Sequence, residues 1–167
     1  EAMCSSSDDI STIGDGTWWG CWDYGKIRRV NYFLKNFPAY KSNFQNSVLA
    51  NAWMGEAHFI RAYCYFAMVK RYGGVPLVEH VQDDEYVPGN PSSLAIPRST
   101  ELDTWKFVLT ECDLAVENLP EVVSSTDGVY RASKWAAYAL KSRVALHAAS
   151  VAKYWDKAPL AGEAVTQ

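Results

Sequence analysis

Hydrophobic side chains recur every three or four positions along four stretches of the chain, at about 18–37, 48–72, 100–118 and 134–154. An α-helix has 3.6 residues per turn, so this spacing gathers the apolar side chains on one face of a helix. In the third stretch the predicted apolar face consists of Leu102, Trp105, Leu109, Cys112, Val116 and Leu119. No stretch convincingly shows the period of two that is typical of a β-strand. The pattern therefore predicts an all-α fold.

Two apolar stripes run along the second stretch, which predicts a central helix that is covered on more than one side. Their members are Trp53, Ala57, Ile60, Cys64 and Ala67 on one side and Phe59, Tyr63 and Phe66 on the other. Gly73 and Gly74 follow this stretch and are expected to end the helix, because glycine adopts a positive φ without steric penalty. Pro38 is expected to close the first stretch, since proline lacks a backbone N–H.

A shift of 82 residues superposes the two halves of the chain. The identical pairs include Trp53 with Trp135, Ala57 with Ala139, Arg61 with Arg143, Val69 with Val151, Tyr72 with Tyr154 and Pro38 with Pro120. The same register, without a gap, relates the preceding stretches and aligns Asn31 with Asp113. This internal repeat predicts a tetratricopeptide-like fold with two helix–turn–helix pairs.

The repeat divides the chain into five segments. We expect an irregular N-terminal segment at 1–17, a first helical pair at 18–72, an irregular insert loop at 73–98, a second helical pair at 99–154 and a C-terminal tail at 155–167. The insert contains four prolines, and irregular loops of this length inside a domain are usually functional or mobile.

Residues at equivalent repeat positions are assigned structural roles, namely Trp53, Arg61, Trp135 and Arg143. The repeated tryptophans are expected to pack in the core. The repeated arginines are expected to be buried and bonded to carbonyl groups or to an acid, because an unpaired buried charge is strongly destabilising. Asp113 and Glu56 are the candidate acids, and substrate binding by the arginines is the alternative.

The composition limits the classes of function that the chain can have. Of its 167 residues, 49% are hydrophobic and 21% are charged, and the formal net charge is -3. These values exclude intrinsic disorder and the broad basic field on which non-specific nucleic-acid binding depends. The cysteines and histidines lack zinc spacing, and the acidic run at 83–85 lacks the spacing of an EF-hand, so no metal ion or other cofactor is predicted. No catalytic signature is visible, so the chain is not expected to be an enzyme.

Three tryptophans, Trp18, Trp19 and Trp22, cluster at the start of the first predicted helix. An indole ring can stack on the C–H face of a sugar, and the rigid aromatic side chain loses little entropy in doing so. The cluster is therefore a candidate glycan-binding platform. The alternative is packing against the second helix, because Trp18 and Trp22 are four residues apart and lie on one face.

Several segments resemble, in order, the landmarks of one protein family, the SusD/RagB-like nutrient-binding outer-membrane lipoproteins. The central helix resembles the family pattern E-A-x-F-x-R-A-x-x-Y-F, and the last helix resembles G-R-x-x-K-x-A-A-x-A-L-K-A-R, with Tyr130 in place of the usual glycine. The matching segments are 18–31 (W…Y…I…N), 51–66 (NAWMGEAHFIRAYCYF), 72–77 (YGGVPL), 97–99 (PRS), 113–114 (DL), 119–120 (LP) and 131–143 (RASKWAAYALKSR).

The resemblance implies a surface-exposed, non-catalytic protein that binds an oligosaccharide or polysaccharide at the bacterial outer membrane. Such a protein delivers its glycan to a TonB-dependent transporter barrel of the SusC type and is held to the membrane by a lipid anchor. Family members are considerably longer, so this chain is expected to be an inner fragment without the anchor. Considered without the resemblance, the helices also suit a tetratricopeptide-type scaffold for protein–protein interaction.

Overall fold

A computed structural model of the chain describes residues 21–82, 87–88, 90, 94–123 and 131–154. Within these ranges the chain forms four α-helices and a short 3-10 helix, Lys41–Asn43, and its one β-bridge joins Val87 to Asn90. The α-helices are α1 (Tyr24–Tyr40), α2 (Ser47–Tyr72), α3 (Glu101–Asn118) and α4 (Lys134–Tyr154). The all-α prediction is confirmed, and α2, α3 and α4 agree with the predicted helical stretches to within one residue.

The first helix has different ends from those predicted. It begins at Tyr24 because the Asp23 carboxylate caps it, accepting a hydrogen bond from the backbone N–H of Lys26 at 3.1 Å. It also continues through Pro38 to Tyr40. Proline removes only one hydrogen bond from the last turn, and the Pro38 carbonyl still accepts one from the N–H of Lys41.

Two consecutive glycines end α2 for different physical reasons. Gly73 has a φ of 69°, and its N–H donates to the Val69 carbonyl at 3.0 Å. Gly74 lies against the chain that enters α3, where a Cβ atom would be 2.7 Å from the carbonyl carbon of Thr100. The two ends of the insert therefore meet, and α3 returns beside α2.

The core lies around α2, which contacts each of the other three helices. Large side chains that are almost fully buried include Ile27, Tyr65, Phe66, Met68, Trp105, Val108 and Val144. Phe66 and Trp105 meet edge to face with ring centroids 6.1 Å apart. Each large apolar side chain buried in this way contributes about 1.5–3 kcal/mol. The prediction that the second stretch forms a central helix is confirmed.

The buried face of α3 is rotated relative to the predicted one. Its buried members are Glu101, Thr104, Trp105, Val108, Glu111, Cys112 and Ala115. Leu102, Leu109 and Val116, which were expected in the core, are only half-buried. The rotation follows from Glu111, whose carboxylate points into α2 instead of into solvent.

One predicted apolar stripe of α2 is also less buried than expected. Ile60 is 46% exposed and Tyr63 is 57% exposed. Both line an open groove between α1 and α2, where the two helices do not close over them.

The two repeated tryptophans differ in burial. Trp53 is half-buried between Phe37 and Phe44, with ring centroids 5.8 and 5.2 Å away. Trp135 is 60% exposed, and the expectation that it packs in the core is wrong. At the 82-residue shift the positions of Phe37 and Phe44 are taken by a leucine and a threonine, so the aromatic side chains that cover Trp53 have no counterpart.

Some expectations fall outside the described residues. They concern the segments 1–17 and 155–167, the acidic run 83–85, and Trp18 and Trp19. No helix in the described part of the chain has a hydrophobic stretch that would let it span a lipid bilayer.

The backbone that enters α3 passes close to Gly74, so adding a single methyl group at Gly74 is expected to destabilise the fold strongly. We expect Gly74→Ala to lower the free energy of unfolding by at least about 2 kcal/mol, because backbone atoms would have to move. Urea denaturation followed by circular dichroism measures the change. Gly25→Ala is the control: Gly25 is exposed in the first turn of α1, where an added Cβ atom would lie 3.2 Å from a side-chain oxygen of Asp23, and there we expect a change of at most about 1 kcal/mol. Equal stability of the two variants would contradict the prediction.

Candidate functional site

A buried ion pair joins α2 to α3. The Arg61 guanidinium donates two parallel hydrogen bonds to the Glu111 carboxylate, at 2.8 Å from Nε and 2.7 Å from Nη2. Arg61 is 6% exposed and Glu111 is 2% exposed. Nδ1 of His58 lies 3.0 Å from Oε2 of the same carboxylate. Paired hydrogen bonds of this kind are the strong form of an arginine–carboxylate contact.

The same arginine reaches α1 and the insert. Nη1 of Arg61 donates to the side-chain carbonyl of Asn31 at 2.8 Å and to the backbone carbonyl of Glu79 at 3.1 Å. The amide group of Asn31 in turn donates to the carbonyls of Val78 at 2.8 Å and His80 at 3.2 Å. One network of charged and polar groups therefore connects three helices with the first part of the insert.

Electrostatics keep Glu111 ionised in this network. Burial alone would raise the pKa of the Glu111 carboxyl, because water stabilises its charge better than the protein interior. The hydrogen bonds with His58 and Arg61 and the charge of Arg61 outweigh burial and hold this pKa below its ordinary value of 4.5.

The acid that pairs with Arg61 is not one of those named from the sequence. Glu56 instead binds Arg131, with 2.7 Å between Oε1 and Nε, and Asp113 binds Lys141. Glu111 was missed, although it lies on the same face of α3 as Thr104, Val108 and Ala115. An acid within such a buried stripe is the signal that could have identified it.

Arg143 does not repeat the environment of Arg61. It is exposed on α4, so the expectation that it is buried is wrong. Arg61 is enclosed because helices pack on both sides of α2. In the described part of the chain, α4 packs against α3 and more slightly against α2, and the side that carries Arg143 is open.

A cluster of aromatic side chains lies at the start of α1. Trp22 precedes the helix and meets the rings of Tyr24 and Tyr72 edge to face, with centroids 5.4 and 5.1 Å away. Tyr24 also meets Tyr65 at 6.5 Å. Trp22 nevertheless stays 38% exposed, so it both contacts the end of α2 and presents part of its ring to solvent.

Hydrogen bonds from the tyrosines hold the insert beside this cluster. The Tyr24 hydroxyl donates to the Pro76 carbonyl at 2.7 Å, and the Tyr65 hydroxyl accepts from the N–H of Val78 at 2.8 Å. Burial raises the pKa of both phenols, because it disfavours the charged phenolate.

Two mainly apolar grooves flank the start of α1. The groove between α1 and α2 has a volume of about 430 Å³ and is mainly apolar, lined by Cys21, Asp23, Lys26, Phe59, Ile60, Tyr63, Cys64 and Ala67. The groove between α1 and the insert has a volume of about 320 Å³ and is lined by Tyr24, Gly25, Arg28, Val78, His80, Gln82 and Leu94. The second groove shares Tyr24 with the aromatic cluster, which places polar groups next to exposed aromatic surface.

Burial also lowers the reactivity of the thiols in α2 and α3. Burial raises the pKa of the Cys64 thiol and raises that of Cys112 to about 12, so neither thiol is activated as a nucleophile. Among the described residues, no three histidine, cysteine or carboxylate side chains come together in a way that could hold a metal ion.

A family model of SusD-like proteins, described as starch-binding and associating with the outer membrane, matches residues 3–146. The chain belongs to the SusD-like family. The family prediction made from the order of the sequence landmarks is therefore confirmed, and the four-helix arrangement matches part of a SusD-like structure.

Individual SusD-like relatives agree with this assignment. A SusD-like protein of Bacteroides ovatus is 28% identical over 131 residues, covering 78% of this chain and 22% of that protein. The crystal structure of a SusD-like protein from Bacteroides fragilis is 38% identical with a TM-score of 0.62, covering 78% of this chain and 24% of that one. A crystal structure with a xylogluco-oligosaccharide is 27% identical with a TM-score of 0.58, covering 80% of this chain and 24% of that one. The chain spans less than a quarter of the length of these relatives.

The lowered pKa of Glu111 predicts a pH-dependent loss of stability. Because the folded-state pKa lies below 4.5, the stabilisation is fully present above pH 4.5 and is lost as the pH falls toward the folded-state value. We expect Glu111→Gln to remove this pH dependence and to lower the free energy of unfolding at pH 7 by about 3 kcal/mol, because it leaves Arg61 buried without a counter-charge.

Denaturation curves between pH 7 and pH 3 measure both effects. Asp113→Asn is the matched control, because Asp113 is a carboxylate on the same helix whose side chain is 50% exposed and pairs with Lys141. Loss of an exposed ion pair changes stability by at most about 1 kcal/mol. Similar losses in the two variants would contradict a dominant role for the buried pair.

Proposed function

We propose that this SusD-like chain takes part in binding a glycan, an oligosaccharide or polysaccharide, at the bacterial cell surface without catalysing a reaction. The observation that carries the proposal is membership of a family described as starch-binding and associating with the outer membrane. The 27% identical relative with a xylogluco-oligosaccharide supports the same class of ligand.

The proposed contact surface is the start of α1, with Trp22 and the preceding Trp18 and Trp19. In support, the Trp22 ring is partly exposed, and neighbouring tyrosines hold it edge to face. An indole fixed in this way can stack on a sugar ring with little further loss of entropy. The adjoining groove supplies Arg28, His80 and Gln82, whose polar groups suit sugar hydroxyls.

The whole protein is proposed to act in nutrient uptake at the outer membrane, to which a lipid anchor would attach it. Its proposed partner is a TonB-dependent transporter barrel of the SusC type, which would receive the bound glycan. The family description supports the location, and the transporter is inferred from the resemblance stated above.

Affinity electrophoresis through gels containing xyloglucan, starch or another soluble polysaccharide tests the proposal. We expect one of these glycans to retard the chain, and we expect Trp22→Ala, or Trp18→Ala combined with Trp19→Ala, to weaken retardation about tenfold or more. Loss of one stacking contact together with its buried area is worth on the order of 1.4 kcal/mol, which corresponds to that factor.

Trp135→Ala is the control, because Trp135 is an equally large exposed ring that lies on α4. It should leave retardation unchanged, and circular dichroism should show that all the variants fold. Retardation that survives in the Trp18, Trp19 and Trp22 variants would move the glycan site elsewhere. No retardation by any polysaccharide would overturn glycan binding by this chain and favour a protein–protein scaffold.

A further inference from the structure

Two cysteine side chains line the same groove between α1 and α2. Cys21 lies in the irregular chain before α1, and Cys64 lies in the second half of α2. Both are half-buried, both line the groove of about 430 Å³, and both pack against the main hydrophobic core. Both are free thiols in this structure. The fold therefore brings to one groove two thiols that are far apart in the sequence.

The side chains of residues 21–23 face two different surfaces. The ring of Trp22 meets the ring of Tyr72 with centroids 5.1 Å apart, on the side of the aromatic cluster. Cys21 and Asp23 instead line the groove, together with the face of α2 that carries Cys64. The segment that holds Trp22 thus also places a thiol beside α2.

The groups around the Cys64 thiol interact with it through their charges. Burial is the main reason why the pKa of Cys64 is raised; the charge of Lys26 lowers this pKa, and the charges of Asp23 and Cys21 raise it further. Interactions between partly exposed charges are largely screened beyond about 10 Å. Cys21 therefore lies near Cys64 within the groove, as do Lys26 and Asp23, which bind each other at 3.1 Å.

The surroundings of this pair differ from those of the third described thiol. Cys112 is fully buried in the core, whereas Cys21 and Cys64 line a groove that a small solute can enter. Within the part of the chain that the structure describes, no third ligand joins the two thiols to make a metal site. A disulfide bond requires only two thiols that can approach each other.

We propose that Cys21 and Cys64 form a disulfide bond under oxidising conditions, which ties the segment that carries Trp22 to α2. The Cα atoms of a disulfide are usually about 4.4–6.8 Å apart. Cys21 lies outside the helices, so the chain around it can adjust to this distance without loss of helical hydrogen bonds. The inference does not depend on glycan binding. Thiols at the proposed cell-surface location have left the reducing cytosol, which favours the bond.

The bond forms by a two-step exchange with a small disulfide such as oxidised glutathione. The thiolate of Cys21 attacks one glutathione sulfur, which gives a mixed disulfide and releases one glutathione thiolate. The thiolate of Cys64 then attacks the Cys21 sulfur, forms the Sγ–Sγ bond and releases the second glutathione. The two cysteines lose two protons and two electrons, and the electrons reduce oxidised glutathione to two thiols. The raised pKa of Cys64 slows the second step, but proximity within one groove favours it.

Equilibration of the folded chain in glutathione redox buffers tests the proposal. The chain carries Cys4→Ser, so that only Cys21, Cys64 and Cys112 remain as thiols. After acid quenching, alkylation and digestion, mass spectrometry should identify a peptide linked through Cys21 and Cys64. The equilibrium constant for forming this bond should be about tenfold or more larger in the folded chain than in concentrated urea, because the fold holds the two thiols together.

Cys112→Ala is the control that keeps the pair, and it should leave the equilibrium constant within about twofold of its original value. Cys64→Ala removes the second thiol, so Cys21 should form only a mixed disulfide with glutathione. Circular dichroism should confirm that both variants fold. The absence of a Cys21–Cys64 peptide, a bond to Cys112 instead, a bond only between two chains, or an equilibrium constant no larger than in urea would each overturn the proposal.

Discussion

The buried ion pair between Arg61 and Glu111 is the interaction on which the arrangement of the helices depends. A guanidinium inside a protein must have its charge and its N–H groups satisfied, so Arg61 requires a carboxylate at one orientation of the neighbouring helix. That requirement sets the rotation of α3 and brings Glu111 into the buried face at the expense of Leu109. Within the described residues every buried side-chain nitrogen or oxygen has a hydrogen-bond partner, which is what a stable polar network inside a core demands.

The same network connects the helical scaffold with the surface proposed to bind glycan. Asn31 accepts from Arg61 and donates to the insert, and Tyr24 and Tyr65 hold the insert beside the start of α1. Side chains of the helices therefore hold the irregular insert in place beside the proposed binding surface. The neighbouring tyrosine rings hold Trp22 there in the same way. A binding site whose side chains are already ordered loses less entropy when a ligand arrives.

Helical repeats bury a continuous core only where neighbouring units cover each other. Among the described residues, α2 has helices on both sides and α4 packs mainly against α3, so the same repeated arginine is buried in the first case and exposed in the second.

The amino-acid sequence by itself determined the bounds of three of the four helices almost to the residue. It also determined the central position of α2 and the family to which the chain belongs. Helical periodicity and the glycine that ends a helix act over a few neighbouring residues, and the family landmarks are read from their order along the chain, so all of these can be identified without a structure. The tertiary structure alone decided that Glu111 is the partner of Arg61, because the two residues are 50 positions apart and meet only when α3 has its observed rotation. It also decided that Trp53 is covered while Trp135 is exposed, since burial depends on which elements pack around a side chain and not on the identity of that side chain.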